Sequence, residues 1–379
     1  MKDLLNDLDA WRRDGRRIAL ARVVDVEGSG PRDPGASMAV DGAGEVIGSV
    51  SGGCVESAVV IEALDVLESG RARLITFDAG DDDGFGVGLT CGGTVHLFVE
   101  EMSATSWPGV TPTDGRDMYD LLAQELRAER PAALATLVIG PHSGAKLLLR
   151  PDHVPVGTLG HPDLDRVVER DALGELNAGI SEVRHYGVHG EAREEAVTVL
   201  VESFAPPPRM VVFGAVDFTG ALVRAAKLLG YRVTVCDARE VFATKKRFPF
   251  ADEVVVDWPD RVIEKIQLDD HIPNLSTRDA VCILTHDARF DVPAVRAALA
   301  TDVGYIGVMG SRRTHETRET RLREAGVTDS ELARLHSPIG LDLGARTPEE
   351  VAVSILAEII SLRTGRTGRR LRDTSGALH

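Results

Sequence analysis

The chain has few cysteines and no pair of them at close spacing. Its 379 residues include only Cys54, Cys91, Cys236 and Cys282, and no Cys-x-x-Cys sequence occurs. Secreted disulfide scaffolds are dense in cysteine, and structural zinc sites typically use closely spaced cysteine pairs. We therefore expect reduced thiols in a cytoplasmic protein, and neither a disulfide framework nor a structural zinc site.

Positive charge and long apolar segments are also scarce. Lys and Arg number 43 against 59 Asp and Glu, which gives a net charge of -16. Nucleic-acid binding needs a basic surface, so this balance argues against a nucleic-acid partner. No apolar run approaches the roughly 20 residues of a membrane span. The charged N-terminal sequence MKDLLNDLDAWRRDGRR has a helical pattern rather than that of a signal peptide. We expect no stable membrane insertion.

Proline-rich and glycine-rich stretches divide the chain into segments. The length and the hydrophobic content of 43% suffice for two or three globular domains. Residues 101–116 (EMSATSWPGVTPTDGR) and 203–209 (SFAPPPR) are predicted linkers, because consecutive prolines stop regular structure. Residues 366–379 form a predicted basic tail.

Two segments, residues 1–100 (copy one) and residues 117–202 (copy two), have the same order of motifs. Each has the pattern of a helix, two strands, a Gly-[Ser/Thr]-[Val/Leu] turn, a helix and a last strand. This order predicts an internal duplication within an α+β region. When the copies are aligned on Gly48 and Gly157, Cys54 falls opposite Asp163. The glycine-flanked cysteines occur in copy one alone, which indicates that the fold does not require them.

From Met210 onward, short apolar strands alternate with helical patterns. The strand RMVVFGA precedes the helical run FTGALVRAAKLLG and the strand YRVTVCDAR, and the alternation continues to residue 365. Such alternation predicts a doubly wound parallel sheet of the Rossmann type over residues 210–365. The expected fold class is therefore α/β, with the duplicated α+β region followed by this Rossmann-like sheet.

The loop after the first of these strands departs from the dinucleotide fingerprint Gly-x-Gly-x-x-Gly. Gly214 takes the first position, but Val216 and Thr219 stand at the second and third. Asp237 ends the next strand, near the place where an acidic residue binds ribose in dinucleotide enzymes. NAD(P) or another nucleotide is thus a doubtful ligand, and a Rossmann-like scaffold without a dinucleotide is an equal alternative.

Polar residues follow two later strands of the same sheet. They are Thr285, His286 and Asp287 after one strand, and Gly310, Ser311, Arg312 and Arg313 after the other. The carboxyl ends of parallel strands form the ligand crevice of open α/β sheets. A Gly-Ser-Arg-Arg turn at a helix start offers backbone donors, a hydroxyl and guanidinium groups that suit phosphate. We predict an anion site there, with a solvated arginine pair and a polar loop histidine as the alternative.

The glycine-flanked cysteines are the other candidates for chemistry. In SVSGGCVE, Cys54 follows Ser51, Gly52 and Gly53 and precedes an apolar run with helical spacing. A thiolate at a helix N-terminus is stabilised by free N–H groups, and glycines let a ligand approach the backbone. In the alternative interpretation Cys54 is a small buried hydrophobe, as we expect for Cys236 and Cys282.

Two further segments contribute to the same prediction. In LTCGGTV, Cys91 stands ahead of Gly92 and Gly93. The sequence EGSGPRDPGASM places Arg32 in a loop rich in Gly, Pro and Ser, which can wrap a small anionic ligand. A plain surface hairpin around Arg32 is the alternative.

Several motifs together resemble the XdhC/CoxI family. They are GSGPRDPGASM, GSVSGGCVE, TCGGTV, LTHDARFD, YIGVMGSRRTHE and SPIGLDLGARTPEEVAVSILAEII. The members of this family are accessory factors of xanthine dehydrogenase and related molybdenum hydroxylases. The resemblance covers nearly the whole chain in the family's order. It implies an N-terminal XdhC/CoxI domain and a C-terminal Rossmann domain.

The resemblance implies a maturation factor rather than a turnover enzyme. Such factors bind the molybdenum cofactor (molybdopterin) transiently, hold it while a cysteine desulfurase supplies the terminal sulfur, and pass it to the molybdenum hydroxylase apoenzyme. Cys54 and Cys91 would bind the metal or carry the sulfur. The predicted cofactor contacts are Arg32, Ser51, Gly52, Gly53, Gly92, Gly93, Gly214, Asp237, His286, Asp287, Gly310, Ser311, Arg312 and Arg313.

Two alternative functions stay open at this point. The first is an NAD(P)-dependent oxidoreductase that uses the Rossmann half, with His286 as its acid–base group. The second is a scaffold that brings the desulfurase and the target enzyme together without contacting the cofactor. The oligomeric state, including a homodimer, is also open.

Overall fold

The computed structural model describes residues 1–28, 32–78, 93–102, 117–268, 274–285 and 287–375. The chain divides into one unit that contains Met1–Pro206 and a second unit, Pro207–Thr374. The first unit contains two antiparallel sheets, and the second contains one parallel sheet. Among the described residues, every helix is too short or too polar to traverse a lipid bilayer.

Copy one folds as a five-stranded antiparallel sheet with one long helix against it. Its elements are a 3-10 turn (Lys2–Leu4), α1 (Leu5–Arg13), β1 (Ile18–Glu27), β2 (Ser37–Asp41), β3 (Val46–Gly48), α2 (Glu56–Ser69), β4 (Arg73–Phe77) and β5 (Thr94–Met102). The strand order is β3-β2-β1-β5-β4. Helix α2 buries Val59, Ala63 and Val66, which are spaced along one face, in a core shared with β1, β2 and β5.

Copy two repeats this arrangement. Its elements are α3 (Met118–Arg127), β6 (Ala132–Ile139), β7 (Lys146–Leu149), β8 (Val156–Gly157), α4 (Pro162–Ala178), β9 (Glu182–Tyr186) and β10 (Val197–Phe204). The strand order β8-β7-β6-β10-β9 matches copy one strand for strand. This shared order confirms the predicted internal duplication.

The edges of the predicted linkers differ from the sequence interpretation. Glu101 and Met102 are the last two residues of β5, where they pair with β1, and residues 103–116 lie outside the described residues. Ser203 and Phe204 likewise complete β10. Because β5 pairs with β1 as far as Met102 and β10 pairs with β6 as far as Phe204, both strands continue into the segments whose composition predicts a linker.

Four charged side chains are buried between the two sheets of the first unit. Arg22 of β1 donates to Glu100 of β5 and, at 2.5 Å, to Glu202 of β10. Lys146 of β7 donates to Glu100 at 2.6 Å. None of the four is more than 1% exposed. Burial outweighs the attraction of Glu100 and lowers the pKa of Lys146 to about 8. Two cations and two anions therefore connect copy one to copy two.

The second unit is a six-stranded parallel sheet covered on both faces. Its elements are β11 (Arg209–Phe213), α5 (Asp217–Leu228), β12 (Arg232–Cys236), β13 (Glu253–Val255), α6 (Pro259–Leu268), β14 (Ala280–Ile283), α7 (Ala288–Leu299), β15 (Tyr305–Val308), α8 (Arg312–Glu324), α9 (Asp329–Leu332), β16 (Leu335–His336), α10 (Pro348–Thr364) and a 3-10 turn (Leu371–Asp373). Helices α5 and α10 cover one face, and α6, α7 and α8 cover the other.

The strand order β13-β12-β11-β14-β15-β16 reverses direction between β11 and β14. This is the Rossmann order, and it confirms the predicted doubly wound α/β sheet. Cys236 and Cys282 lie buried within β12 and β14, as expected for core cysteines. Burial raises the pKa of both thiols, that of Cys236 to about 12.

Candidate functional site

Three of the predicted site segments meet at one end of the copy-one sheet. Strands β1 and β3 both run antiparallel to β2, so they end on the same side, and β5 begins there because it is antiparallel to β1. The loop with Arg32 follows β1, the turn with Cys54 follows β3, and Gly93 directly precedes β5. Gly28 and Gly93 are close, since a Cβ on Gly28 would lie 3.6 Å from the Gly93 Cα. Arg32 is exposed.

The turn between β3 and α2 depends on its two glycines. Gly52 has φ +74° and Gly53 has φ +120°, in the left-handed range that side-chain-bearing residues rarely adopt. Apart from each glycine's own chain neighbours, no atom of the described residues lies within 4 Å of the place where it would carry a Cβ. The turn therefore exposes bare backbone beside Cys54, as the predicted approach of a ligand requires.

Glu56, the first residue of α2, holds this turn together. Its carboxylate accepts hydrogen bonds from the hydroxyls of Ser49 and Ser51 at 2.6 and 2.5 Å and from the N–H groups of Ser51 and Gly53 at 3.0 and 2.9 Å. Burial alone would raise the pKa of Glu56, but these hydrogen bonds outweigh it and lower that pKa to about 2. Glu56 is thus an anion at the helix start at neutral pH.

Cys54 lies two residues before the helix rather than in its first turn. Its own N–H and that of Val55 each donate to the Ser51 hydroxyl at 3.0 Å. The anion at the helix N-terminus is the Glu56 carboxylate, not the Cys54 thiolate that the sequence predicts there. Cys54 is half-buried and packs against the copy-one core. Sequence reasoning missed Glu56, although an acidic residue in the first turn is a known sign of a helix start.

Copy two contains the same cap without the thiol. The alignment that pairs Gly48 with Gly157 also pairs Ser49 with Thr158 and Glu56 with Asp165. The Thr158 hydroxyl and the Leu159 N–H both donate to Asp165 at 2.7 Å. The hydroxyl–carboxylate cap therefore belongs to the fold of both copies, and Cys54 is an addition specific to copy one.

Two predicted members of this site lie outside the described residues. They are Cys91 and Gly92, which precede Gly93 in the chain. Among the described residues, no three side chains of His, Cys, Asp or Glu are placed to hold a metal ion. Metal binding by Cys54 together with Cys91 stays a prediction.

In the second unit, the first strand–helix loop is packed tightly and its polar groups are engaged. Gly214 has φ +112°, and a Cβ there would lie 2.9 Å from Cγ2 of Thr285. The buried Thr219 hydroxyl donates to the Gly214 carbonyl. Asp237 accepts from the Ala215 N–H at 2.8 Å and from the Arg239 guanidinium at 2.7 and 2.9 Å.

These contacts use the groups that a dinucleotide would need. Burial favours neutral Asp237, but the hydrogen bonds from Arg239 and Ala215 prevail and lower the pKa of Asp237. Helix α5 begins with the exposed carboxylate of Asp217, which repels a pyrophosphate at the helix N-terminus. The geometry thus gives little support to NAD(P) binding.

The two polar segments after β14 and β15 each cap the helix that follows, and, among the described residues, only the second borders a cleft. Asp287 caps α7 and pairs with Arg289, and the Arg289 hydrogen bonds lower the pKa of Asp287 to about 2. His286 lies outside the described residues. Ser311 caps α8 by accepting from the Thr314 N–H at 3.1 Å. Arg313 borders a cleft between α7 and α8, and Arg312 does not.

Two protein-family models match this chain. The XdhC and CoxI family model matches residues 11–78 and 125–187. The XdhC Rossmann domain model matches residues 210–359. The first model thus falls on copy one and copy two, and the second falls on the parallel sheet. Together the matches cover about three quarters of the chain.

Several known proteins are similar over most of their length. A probable xanthine dehydrogenase subunit of Bacillus subtilis (strain 168) is 29% identical over 359 residues, which is 94% of this chain and 96% of that protein. The molybdenum cofactor insertion chaperone PaoD of Escherichia coli (strain K12) is 26% identical over 349 residues, 92% of this chain and 84% of that protein.

A solved structure shows the same fold. A crystal structure of a xanthine dehydrogenase from Bacillus halodurans, at 2.80 Å resolution, superposes with a TM-score of 0.66. It is 26% identical and covers 97% of this chain and 96% of its own. From the family matches, their order and the shared fold, this chain belongs to the XdhC and CoxI family, with an XdhC Rossmann domain as its second unit.

Proposed function

We propose that this chain is a cytoplasmic maturation factor that holds the molybdenum cofactor during sulfuration and delivers it to a molybdenum hydroxylase. The observation that carries the proposal is the thiol found in one copy only. The hydroxyl–carboxylate cap occurs in both copies, but Cys54 and its paired glycines occur in copy one alone. The similarity to PaoD, a molybdenum cofactor insertion chaperone, over most of both chains supports the same role.

The residues at this end of copy one fit such a ligand. Cys54 supplies a soft thiol that can bind molybdenum or carry the sulfur that a cysteine desulfurase donates. Gly52 and Gly53 leave open space beside the thiol, and the exposed Arg32 offers a guanidinium for a phosphate group. When bound, the cofactor supplies a metal centre whose terminal sulfur the client enzyme needs for hydroxylation.

The roles of the individual residues follow from their contacts. Glu56 fixes the turn through Ser49 and Ser51 and so sets the position of Cys54. By motif resemblance, Cys91 acts beside Cys54, and a cysteine desulfurase is the sulfur donor. In the second unit, Asp237 accepts a hydrogen bond from the Ala215 N–H and so holds its own loop rather than a nucleotide.

Replacing the thiol tests the proposal. We expect Cys54→Ala to keep its thermal midpoint within about 2 °C of wild type, since the removed side chain is half-buried and small. It should fail to retain molybdenum cofactor on gel filtration and fail to activate a client apoenzyme. Asp163→Ala, at the aligned position of copy two, is the matched control and should retain both abilities.

Two outcomes decide against this role of Cys54. Full client activation by Cys54→Ala would show that the thiol is not needed. A large drop in thermal midpoint would favour the interpretation of Cys54 as a core residue.

Pull-downs from cofactor-deficient cells test the scaffold alternative, because a pure scaffold still captures the desulfurase and the client enzyme in such cells. A nicotinamide titration tests the oxidoreductase alternative.

A further inference from the structure

A cleft of about 210 Å³ opens between α7 and α8 of the second unit. Three arginines line it, Arg313, Arg318 and Arg321, together with Thr317 of the same helix. Among the described residues, the one acidic side chain in its lining is that of Asp291 of α7. The side chains around the cleft thus carry more positive than negative charge, within a chain whose net charge is -16.

Arg318 and Asp291 neutralise each other. Both are 4% exposed, and the Arg318 guanidinium donates to Asp291 at 3.1 Å. Asp291 also accepts a hydrogen bond from Thr285. Arg318 further donates to the Met309 carbonyl at 2.8 Å and to the Ser337 hydroxyl at 3.2 Å. This pair ties strand ends to the two helices, so its charges are committed to the fold.

Arg313 and Arg321 are in a different situation. Both are exposed, and neither makes an ion pair within the part of the chain that the structure describes. They are two turns apart on α8, about 12 Å along the helix axis, with Thr317 between them. Arg323 on the same helix is paired with Glu319 and Asp329 at 3.1 Å. Within the described residues, the two cleft arginines are therefore cations without an ion-pair partner, unlike Arg318 and Arg323 of the same helix.

We propose that this cleft binds the phosphate group of a small-molecule ligand, with Arg313 and Arg321 as the donors. Guanidinium groups bind phosphate through paired, charge-assisted hydrogen bonds, and a doubly charged group matches two uncompensated cations. The site shares only Arg313 with the Gly310–Arg313 turn that the sequence predicts. There the Ser311 hydroxyl caps the helix, and Arg312 does not border the cleft.

This proposal is independent of the cofactor role of Cys54. The phosphate can belong to free phosphate, to a diphosphate or to a larger phosphorylated molecule, and all share the same recognition chemistry. Isothermal titration of the full chain with inorganic phosphate and with pyrophosphate separates the first two sources. Neither probe contains the cofactor, so failure of phosphate binding would leave the result of the cofactor-retention assay on Cys54 variants unchanged.

The expected result is binding of at least one probe that depends on the two cleft arginines. Arg313→Gln and Arg321→Gln should each weaken it by about tenfold or more, the cost of losing a charge-assisted hydrogen bond. Arg312→Gln removes the same charge from the neighbouring position and should stay within about twofold of wild type. Thermal midpoints close to wild type confirm that the variants are folded.

A second variant lowers the positive charge of the cleft without replacing either arginine. Thr317→Glu places a carboxylate between Arg313 and Arg321, and we expect no measurable binding. Three outcomes overturn the proposal: no binding of either probe by wild type, equal losses for Arg312→Gln and Arg313→Gln, or unchanged binding by Thr317→Glu. Equal losses at Arg312 would mean that only the general charge of the helix attracts the anion.

Discussion

At the scale of single residues, Glu56 organises the segment that carries Cys54. Its two carboxylate oxygens accept from Ser49, from both polar groups of Ser51 and from the Gly53 N–H. The N-terminus of a helix favours an anion, and here the side chain of α2 itself supplies it. The thiol is thus positioned by a hydrogen-bonded turn, but the helix end is already occupied by the negative charge of Glu56.

We predict that Glu56→Gln lowers the free energy of unfolding by about 1 kcal/mol at pH 7, because an amide replaces a charged acceptor in a partly exposed site. The pKa of Glu56 is lowered from 4.5 to about 2, so its contribution is present above pH 4.5 and is lost as the pH falls toward 2. Urea unfolding at pH 7 and at pH 2 measures both effects. The wild type and the variant should converge at the lower pH.

Glu68→Gln is the control for this substitution. Glu68 is exposed near the other end of α2, and its replacement should change stability little at either pH. If Glu56→Gln is as stable as Glu68→Gln at pH 7, the cap does not hold the turn.

The apolar pattern of the sequence indicated that a helix follows Cys54, and α2 does begin close by, at Glu56. The apolar pattern could not show where the helix starts, because the start depends on the Ser51 hydroxyl, which accepts hydrogen bonds from the N–H groups of Cys54 and Val55. Hydrogen bonds from a turn's side chains to its own backbone leave no trace in hydrophobic periodicity. The same limit applies to the Asp237 contacts with Ala215 and Arg239.

At the scale of secondary structure, the contact between two strand ends explains why the loop after β11 contains a glycine. Gly214 follows β11, and the segment with Thr285 follows β14, its neighbour across the switch point. A Cβ on Gly214 would lie 2.9 Å from the Thr285 methyl and 3.1 Å from its nitrogen. The glycine is therefore needed for packing, and its presence is no sign of a pyrophosphate.

We predict that Gly214→Ala lowers the free energy of unfolding by about 2 to 4 kcal/mol, because it combines backbone strain with a steric clash. Gly230→Ala is the matched control. Gly230 also has positive φ (+77°), but none of the described atoms lies within 4 Å of its Cβ position. Backbone strain alone should cost about 1 kcal/mol there. Chemical denaturation of the second unit measures both, and equal losses would remove the steric part of this explanation.

The helices and strands of the second unit were predictable because each has the periodicity of a buried strand or an amphipathic helix. The predicted strand RMVVFGA, the helical run FTGALVRAAKLLG and the strand YRVTVCDAR occur as β11, α5 and β12, with ends shifted by a few residues. The cleft between α7 and α8 was not predictable, because it depends on how two helices pack. The contact between Arg318 of α8 and Asp291 of α7 is known only once that packing is known.

At the scale of the first unit, the duplication explains both the shared fold and the divergence. Glu100 pairs with Leu20 across β5 and β1, and Glu202 pairs with Leu134 at the corresponding place in copy two. The two glutamates are thus equivalent residues that meet Arg22 from opposite copies. Arg22 and Glu202 are far apart in sequence, so no local pattern could reveal their pairing.

We predict that Arg22→Met lowers the free energy of unfolding of the first unit by about 3 to 5 kcal/mol, because it leaves a buried carboxylate without its cation. Lys146 still pairs with Glu100, so the loss falls chiefly on Glu202. Arg73→Met is the control: Arg73 pairs with Glu62 at the surface, at 3.2 Å, and such a pair contributes about 0 to 1 kcal/mol.

A double variant identifies the cause of that loss. If the unpaired charge of Glu202 is responsible, Arg22→Met combined with Glu202→Met should recover much of the stability, since an apolar pair replaces an ionic one at similar volume. If the loss came instead from the shape of the Arg22 side chain, the double variant would be less stable than Arg22→Met. Urea denaturation of wild type, both single variants and the double variant forms a closed cycle that measures the coupling. A coupling energy near zero would mean that the Arg22–Glu202 pair adds no stability to the contact between the copies, beyond the Lys146–Glu100 pair and apolar contacts such as those of Val24 and Leu200.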